Sequence, residues 1–257
     1  MSTITMITGA TSGIGLACAN RLAAEGHWLI INGRRSNRLQ KLKKKLENEH
    51  PIKVLALPFD VRRVKAVDNA VKKLKTPWNE IDVLINNAGL ALGLEPIDSG
   101  LLEDWEQMID TNVKGLLYVS RAVIPLMKAR QSGHIVNIGS VAGREVYPKG
   151  NVYCATKHAV NALSQAMRMD LLEHGIKVTQ ISPGAADTEF STVRFHGDQN
   201  RANQVYQGFT PLSGADVADV VAFAITRPKH VNINDLLLMP TAQAASSLIY
   251  RNQNSQG

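Results

Sequence analysis

The sequence predicts one α/β domain: a doubly wound, parallel, seven-stranded sheet with helices on both faces. Three observations predict it. Short apolar runs alternate with helical patterns almost from end to end. The runs are continuous rather than alternating in polarity, as in strands covered on both faces. The chain has 257 residues, which suits a single α/β domain with a large core.

The first strand is expected over residues 3–8, followed by a helix over 13–25. Strand 28–33 leads into helix 38–49. Strand 53–57 and helix 64–75 precede strand 83–86. A long helix over 102–130 follows, with Asp98 or Ser99 placed to cap its approach and Pro125 placed to kink it near its end. Strand 134–139 leads to a second long helix over 152–174. Strand 177–182, helix 215–226 and strand 235–239 complete the pattern. Strand–helix alternation implies parallel strands joined by right-handed crossovers. No internal repeat, linker or second domain is visible. Residues 185–212 break the pattern with Gly197, Asp198, Asn200, Asn203 and Gly208, and have little periodicity. They are expected to form a mobile substrate lid with short helices. The tail, residues 243–257, is polar after Ile249 and leaves two outcomes open: disorder, or reach to a neighbouring subunit.

Composition excludes several classes. The hydrophobic fraction of 44% and charged fraction of 20% are ordinary for a globular protein. No apolar run approaches the roughly 20 residues a membrane span needs. The N-terminus reads directly as a strand, so no signal peptide is expected and a cytoplasmic protein is. Cys18 and Cys154 fit neither a metal-ligand spacing nor a disulfide framework, and no metal is expected. Cys18 lies on an apolar helix face and reads as a small buried hydrophobe. The net charge of +7 could attract nucleic acid. The lysines at 41, 43, 44, 45, 72, 73 and 75, however, read as solvated helix faces, and no aromatic-interleaved basic motif accompanies them. A basic surface equally suits an anionic cofactor and substrate.

The first strand ends in Thr8-Gly9-Ala10-Thr11-Ser12-Gly13-Ile14-Gly15. Glycines between a first strand and first helix permit a tight turn and close approach of a pyrophosphate to backbone N–H groups. The positive end of the helix points at the same phosphates. The arrangement makes a Rossmann-type dinucleotide site. Gly9, Thr11, Ser12, Gly13, Ile14 and Gly15 are its candidate residues. An NAD site usually carries Asp or Glu about 20 residues on, for the ribose hydroxyls. Here that place holds Asn32-Gly33-Arg34-Arg35. Two guanidiniums and no carboxylate favour a 2′-phosphate, hence NADP. Asp60 can accept from the adenine amino group, and Val61 can offer its backbone. In Asn86-Asn87-Ala88-Gly89, small residues leave room for the adenine-side ribose, and the asparagines can tie strand ends together.

Strand 134–139 ends at Ser140, and Tyr153-Cys154-Ala155-Thr156-Lys157 opens the second long helix. Tyr153 and Lys157, at i and i+4, share a helix face. Carbonyl reduction needs a proton donor on oxygen as hydride reaches carbon. A free tyrosine, with a pKa of about 10, holds its proton too tightly for the reverse direction at neutral pH. A neighbouring ammonium and an oxidised nicotinamide both favour the phenolate. Lys157 can supply that ammonium and also bind the nicotinamide ribose. Ser140 can hydrogen-bond the substrate oxygen as charge develops. Asn112 could hold a water that passes protons to Lys157.

Together these residues resemble the short-chain dehydrogenase/reductase family over nearly the whole chain. The family's cofactor motif matches residues 8–15, and its Asn-Asn-Ala-Gly element matches 86–89. Its catalytic tetrad matches Asn112, Ser140, Tyr153 and Lys157 without substitution. Pro183-Gly184 falls where the family's backbone contacts the nicotinamide carboxamide, and Thr188 matches the threonine that caps that region. The resemblance implies a four-residue mechanism, B-face hydride transfer and a homotetramer built on the two long helices. Residues 88–93, 139–157, 188–195 and 227–233 are similar to the NADP-dependent 3-hydroxy acid dehydrogenase branch, which acts on serine, allo-threonine and 3-hydroxyisobutyrate-type substrates. A hydroxy acid carries a carboxylate and needs a cationic or N–H-rich partner. Arg144 and Arg194 are the candidates, beside Ser140 and Tyr153 as substrate contacts.

The expected function is therefore an NADP-dependent interconversion of a small hydroxy acid and its 3-oxo acid or semialdehyde. Reduction of another carbonyl (a 3-oxoacyl thioester, a sugar or a pterin) uses the same cofactor and tetrad. A non-catalytic NADP-sensing protein is the alternative from another class, and would be expected to lack part of the tetrad. Neither a nucleic-acid nor a membrane partner is expected.

Overall fold

The computed structural model describes residues 2–252. Seven parallel strands form one sheet: β1 (Ile4–Ile7), β2 (Trp28–Gly33), β3 (Val54–Pro58), β4 (Val83–Asn86), β5 (Gly133–Ile138), β6 (Ile176–Pro183) and β9 (Asp235–Leu238), in the order β3-β2-β1-β4-β5-β6-β9. The order reverses at β1, whose two neighbours are β2 and β4. Their carboxyl ends leave a crevice, where open α/β sheets bind ligands.

Successive strand side chains point to opposite faces, and the apolar residues divide accordingly. Ile7, Ile31, Ile85 and Val136 join Cys18 and Leu22 of α1 (Gly13–Ala24), Leu39 of α2 (Ser36–Glu49) and Val221 of α9 (Gly214–Ile225). Met6, Ile30, Leu84 and Ile135 join Val67 of α3 (Val64–Lys72), Val123 of α5 (Leu116–Arg130) and Val160 of α6 (Asn151–Asp170). Continuous apolar strands follow from these two cores. Burial pushes the Cys18 thiol up to about 12, which suits an inert packing residue.

The stretch expected as one long helix is divided. α4 (Leu102–Ile109) passes through a π turn, Asp110–Gly115, into α5. The π turn buries Thr111 and Asn112, and such turns recur at functional sites. Pro125 sits inside α5, so the irregularity lies upstream of the expected kink. The N-cap of α4 is Leu101 and carries no side-chain cap bond. Neither Asp98 nor Ser99 caps the helix, because Ser99 N–H closes a turn on the carbonyl of Pro96 (3.2 Å), ahead of the helix start.

The aperiodic segment has its own frame. β7 (Ala186–Asp187) and β8 (Leu212–Ser213) pair in parallel at its base, and α7 (Glu189–Arg194) and α8 (Gln199–Gln204) lie between them. The described part of the tail folds back onto this segment. Asn252 N–H donates to the carbonyl of Gly208 (2.8 Å), and the Arg251 guanidinium reaches the carbonyl of Val205 (2.9 Å). The rest of the tail, residues 253–257, lies outside the described residues. Among the described residues no helix is long and apolar enough to cross a membrane.

Candidate active site

A cavity of about 530 Å³ opens over the carboxyl ends of β1, β4, β5 and β6. Its floor begins at the glycine-rich turn. A Cβ at Gly15 would stand 2.4 Å from the carbonyl oxygen of Gly9 and from Nδ2 of Asn87, so any larger residue would push the turn apart. Asn87 donates to the carbonyls of Thr8 (2.9 Å) and Gly9 (3.2 Å). The Thr8 hydroxyl accepts from the N–H groups of Asn87 and Ala88 (both 3.0 Å). Thr8 thus stitches β1 to β4, a role its motif position alone did not reveal. The N-terminus of α1 has no side-chain cap bond and no acid in its first turn. Its first N–H groups and dipole therefore suit a phosphate in the cavity.

The adenosine corner lies at the end of β2. Arg34 and Arg35 both line the cavity. Arg35 donates to the hydroxyls of Thr11 (3.0 Å) and Ser12 (3.3 Å), and lies 3.5 Å from the carboxylate of Glu189. Arg38, which sequence reasoning passed over, pairs with the same carboxylate at 3.2 Å. Asp60 and Val61 also line the cavity. Arg62 holds the Asp60 carboxylate through Nε (3.0 Å) and Nη2 (2.7 Å) and, against the cost of burial, draws it below its ordinary range. An adenine amino group would share that carboxylate with Arg62.

At the far end, Ser140 follows β5, and Tyr153 and Lys157 face it from α6; all three are buried and line the cavity. Burial pushes the Tyr153 phenol well above its ordinary value, and the nearby Tyr147 phenol adds to this. The Ser140 hydroxyl beside it and Arg194 pull it down. Burial lowers the Lys157 ammonium to about 8. Lys157 Nζ donates to the carbonyl of Ile138 (2.9 Å) and stands 5.9 Å from the centre of the Tyr153 ring. The sequence suggested that Lys157 lowers the phenol. Here the ammonium is turned to the carbonyl at the end of β5, while Ser140 and Arg194 act on the phenol.

Asn112 stands one layer behind the wall. Its amide donates to the carbonyl of Leu90 (2.8 Å) and the hydroxyl of Thr156 (3.0 Å), and its oxygen accepts from Leu90 N–H (2.9 Å). The carboxamide is thus committed to joining the loop after β4 to the first turns of α6. Gly89, Ala88, Pro183, Gly184 and Thr188 line the cavity between its two ends. Thr188 caps α7 by accepting from Phe190 N–H (3.2 Å). Gln243, which the sequence offers only as the start of the tail, is buried and accepts from Ala185 N–H (2.7 Å), fixing the segment after Gly184.

The two candidate carboxylate partners separate. Arg194 lines the cavity, with its guanidinium 5.8 Å from the centre of the Tyr153 ring and its Nε donating to the carbonyl of Gly93 (3.0 Å). Arg144 does not reach it. Its guanidinium is ion-paired with Asp235 at the start of β9.

A family model described as short chain dehydrogenase matches residues 3–199. An NADP-dependent 3-hydroxy acid dehydrogenase of Salmonella typhi is 47% identical over 246 residues, 95% of this chain and 98% of the relative. A protein of the same description from Schizosaccharomyces pombe is 41% identical over 249 residues, 96% of each chain. Among solved structures, the closed form of a serine dehydrogenase complexed with NADP+ superposes with a TM-score of 0.91 at 45% identity, over 98% of this chain and 100% of that one. The chain belongs to the short-chain dehydrogenase family.

Proposed function

We propose that this short-chain dehydrogenase uses NADP to interconvert a small 3-hydroxy acid, such as serine or allo-threonine, and its 3-oxo acid or semialdehyde. One observation carries the reading. The buried Ser140–Tyr153–Lys157 group and the Arg194 cation open on the same cavity as the glycine turn and the Arg34–Arg35 corner. The 3-hydroxy acid and serine dehydrogenases it resembles support the substrate class.

The residues divide the work along the cavity. The turn over Gly9, Thr11, Ser12, Gly13, Ile14 and Gly15 would hold the pyrophosphate on the N-terminus of α1. Arg34 and Arg35 would take the 2′-phosphate, with Asp60 and Val61 beside the adenine. Asn87, Ala88, Gly89, Pro183, Gly184 and Thr188 would shape the path to the reacting end. Bound there, the dinucleotide would supply the hydride acceptor or donor and, when oxidised, a positive charge that favours the phenolate.

Tyr153 exchanges the proton at the substrate oxygen. Ser140 donates a hydrogen bond to the same oxygen as its charge changes. Lys157, with its ammonium lowered to about 8, orients the nicotinamide ribose and takes part in proton exchange. Asn112 is a positioning residue, since its amide fixes the loop at Leu90 against Thr156. Arg194 attracts the substrate carboxylate. We also read the protein as a cytoplasmic homotetramer. Exposed Leu101, Leu102, Ile109 and Leu117 beside α4 and α5 support association, because clustered apolar surface marks interfaces.

A substrate panel followed by NADPH absorbance at 340 nm tests the reading. Serine, allo-threonine and 3-hydroxyisobutyrate should be oxidised with NADP+ in preference to simple alcohols. Turnover of a 3-oxoacyl thioester, a sugar or a pterin with none of the hydroxy acids would overturn it.

A further inference from the structure

Three phenols line the cavity: Tyr147, Tyr153 and Tyr206. Tyr153 faces Ser140. The Tyr206 hydroxyl is committed, lying 2.7 Å from Oγ of Ser191 and donating to the carbonyl of Ala186 (2.8 Å). Tyr147 has no assigned work, yet its place is built. Its ring occupies the space above Gly150, where a Cβ would come within 2.3 Å of a ring carbon. Its carbonyl accepts from Gly150 N–H (3.0 Å), one residue before α6.

The guanidinium of Arg194 lies 5.6 Å from the Tyr147 ring centre and 5.8 Å from that of Tyr153, so it faces both rings. It is anchored twice to Gly93: Nε donates to the Gly93 carbonyl (3.0 Å), and the Arg194 carbonyl accepts from Gly93 N–H (2.9 Å). None of the ion pairs among the described residues involves Arg194. Burial pushes the Tyr147 phenol above its ordinary value, and the guanidinium over its ring draws it partly back. The phenol therefore has a proton to give, and the guanidinium has N–H groups beyond Nε.

We propose that Tyr147 is a specificity-determining residue that, together with Arg194, holds the carboxylate of the 3-hydroxy acid. The proposal rests on the function proposed above and identifies how that site selects an acid. A carboxylate accepts from several donors at once, and its bonds from a cation and a hydroxyl are the strong ones. In a 3-hydroxy acid a single carbon separates the carboxylate carbon from the carbinol carbon. The acid anchor must therefore stand next to the acid/base, and Tyr147 and Tyr153 face one guanidinium. A neutral alcohol makes no use of the pair.

Replacing Tyr147 by phenylalanine keeps the ring above Gly150 and removes the hydroxyl. The test compares 3-hydroxyisobutyrate with its methyl ester in wild type and Y147F, reading KM and kcat separately. The preference for acid over ester should fall about tenfold in Y147F, the effect of one hydrogen bond to a charged group. The loss should lie in the KM of the acid. Equal shifts for acid and ester, or a loss confined to kcat, would overturn the role. A measurement without turnover separates this from the function itself: malonate binding to the NADPH complex, read by NADPH fluorescence. Weaker malonate binding in Y147F supports the anchor even if the wild type proves to oxidise a different hydroxy compound. Unchanged malonate binding overturns it even if the hydroxy acids prove to be substrates.

Discussion

At the dinucleotide end of the cavity, the wall is held by backbone groups and by side chains fixed on strands. Thr8, Asn87 and the carbonyl of Gly9 bind one another across β1 and β4, and there is no space for a side chain at Gly15. At the other end, around α7 and α8, the wall is held by long side chains reaching across loops. Arg194 reaches Gly93, the His196 ring lies 3.0 Å from Asp104, and Arg251 reaches back to Val205. The first kind of wall tolerates almost no change of residue. The second can be refastened by other polar pairs. The cofactor end is thus rigid by steric necessity. The other end is fastened by contacts that exchange readily with water.

The contrast can be broken at three points. The largest effect is expected from Gly15→Val, whose side chain would collide with the Gly9 carbonyl. Overpacking should cost about 1–3 kcal/mol of stability. Displacement of the turn should weaken dinucleotide binding on the order of a hundredfold. Thermal melting and NADPH fluorescence titration read both. Arg35→Ala should come next. Loss of a charged hydrogen bond to the 2′-phosphate should lower NADP+ affinity roughly 10- to 100-fold. NAD+ affinity should stay near its starting value, so calorimetry with the two cofactors isolates the phosphate. The smallest effect is expected from Asp104→Asn, a near-isosteric change that leaves the buried position an acceptor for the His196 ring, whose side chain is 56% exposed. Such a pair is worth about 1 kcal/mol or less. KM should rise a few-fold, about fivefold at most, and limited proteolysis should cut faster between α7 and α8. A larger effect at Asp104 than at Gly15 would reverse the comparison.

The same contrast governs what could be read in the sequence. The strands were legible because each serves two cores, which leaves continuous apolar runs with boundaries within about a residue of those observed. The glycine turn and the Tyr153–Lys157 spacing were legible because local geometry alone gives them meaning. The π turn was not, since a helical pattern over 102–130 carries no mark of one widened turn. Arg144 and Arg194 were indistinguishable by residue type. Only the tertiary fold sends one to Asp235 and the other into the cavity. Tyr147, Arg62 and Gln243 were missed for the same reason: their partners stand on other segments or depend on a loop turn, and no period announces them.

The central claim is that the Tyr153 hydroxyl exchanges the proton while the rest of the cavity binds and orients. Its most direct test is single-turnover oxidation of serine by the Tyr153→Phe variant at saturating NADP+, alongside NADPH titration of the same protein. The hydride-transfer rate should fall about 10²- to 10⁴-fold, with the dinucleotide still bound. A variant that binds NADPH normally and transfers hydride within about tenfold of the wild-type rate would contradict the claim and place the acid/base on another residue.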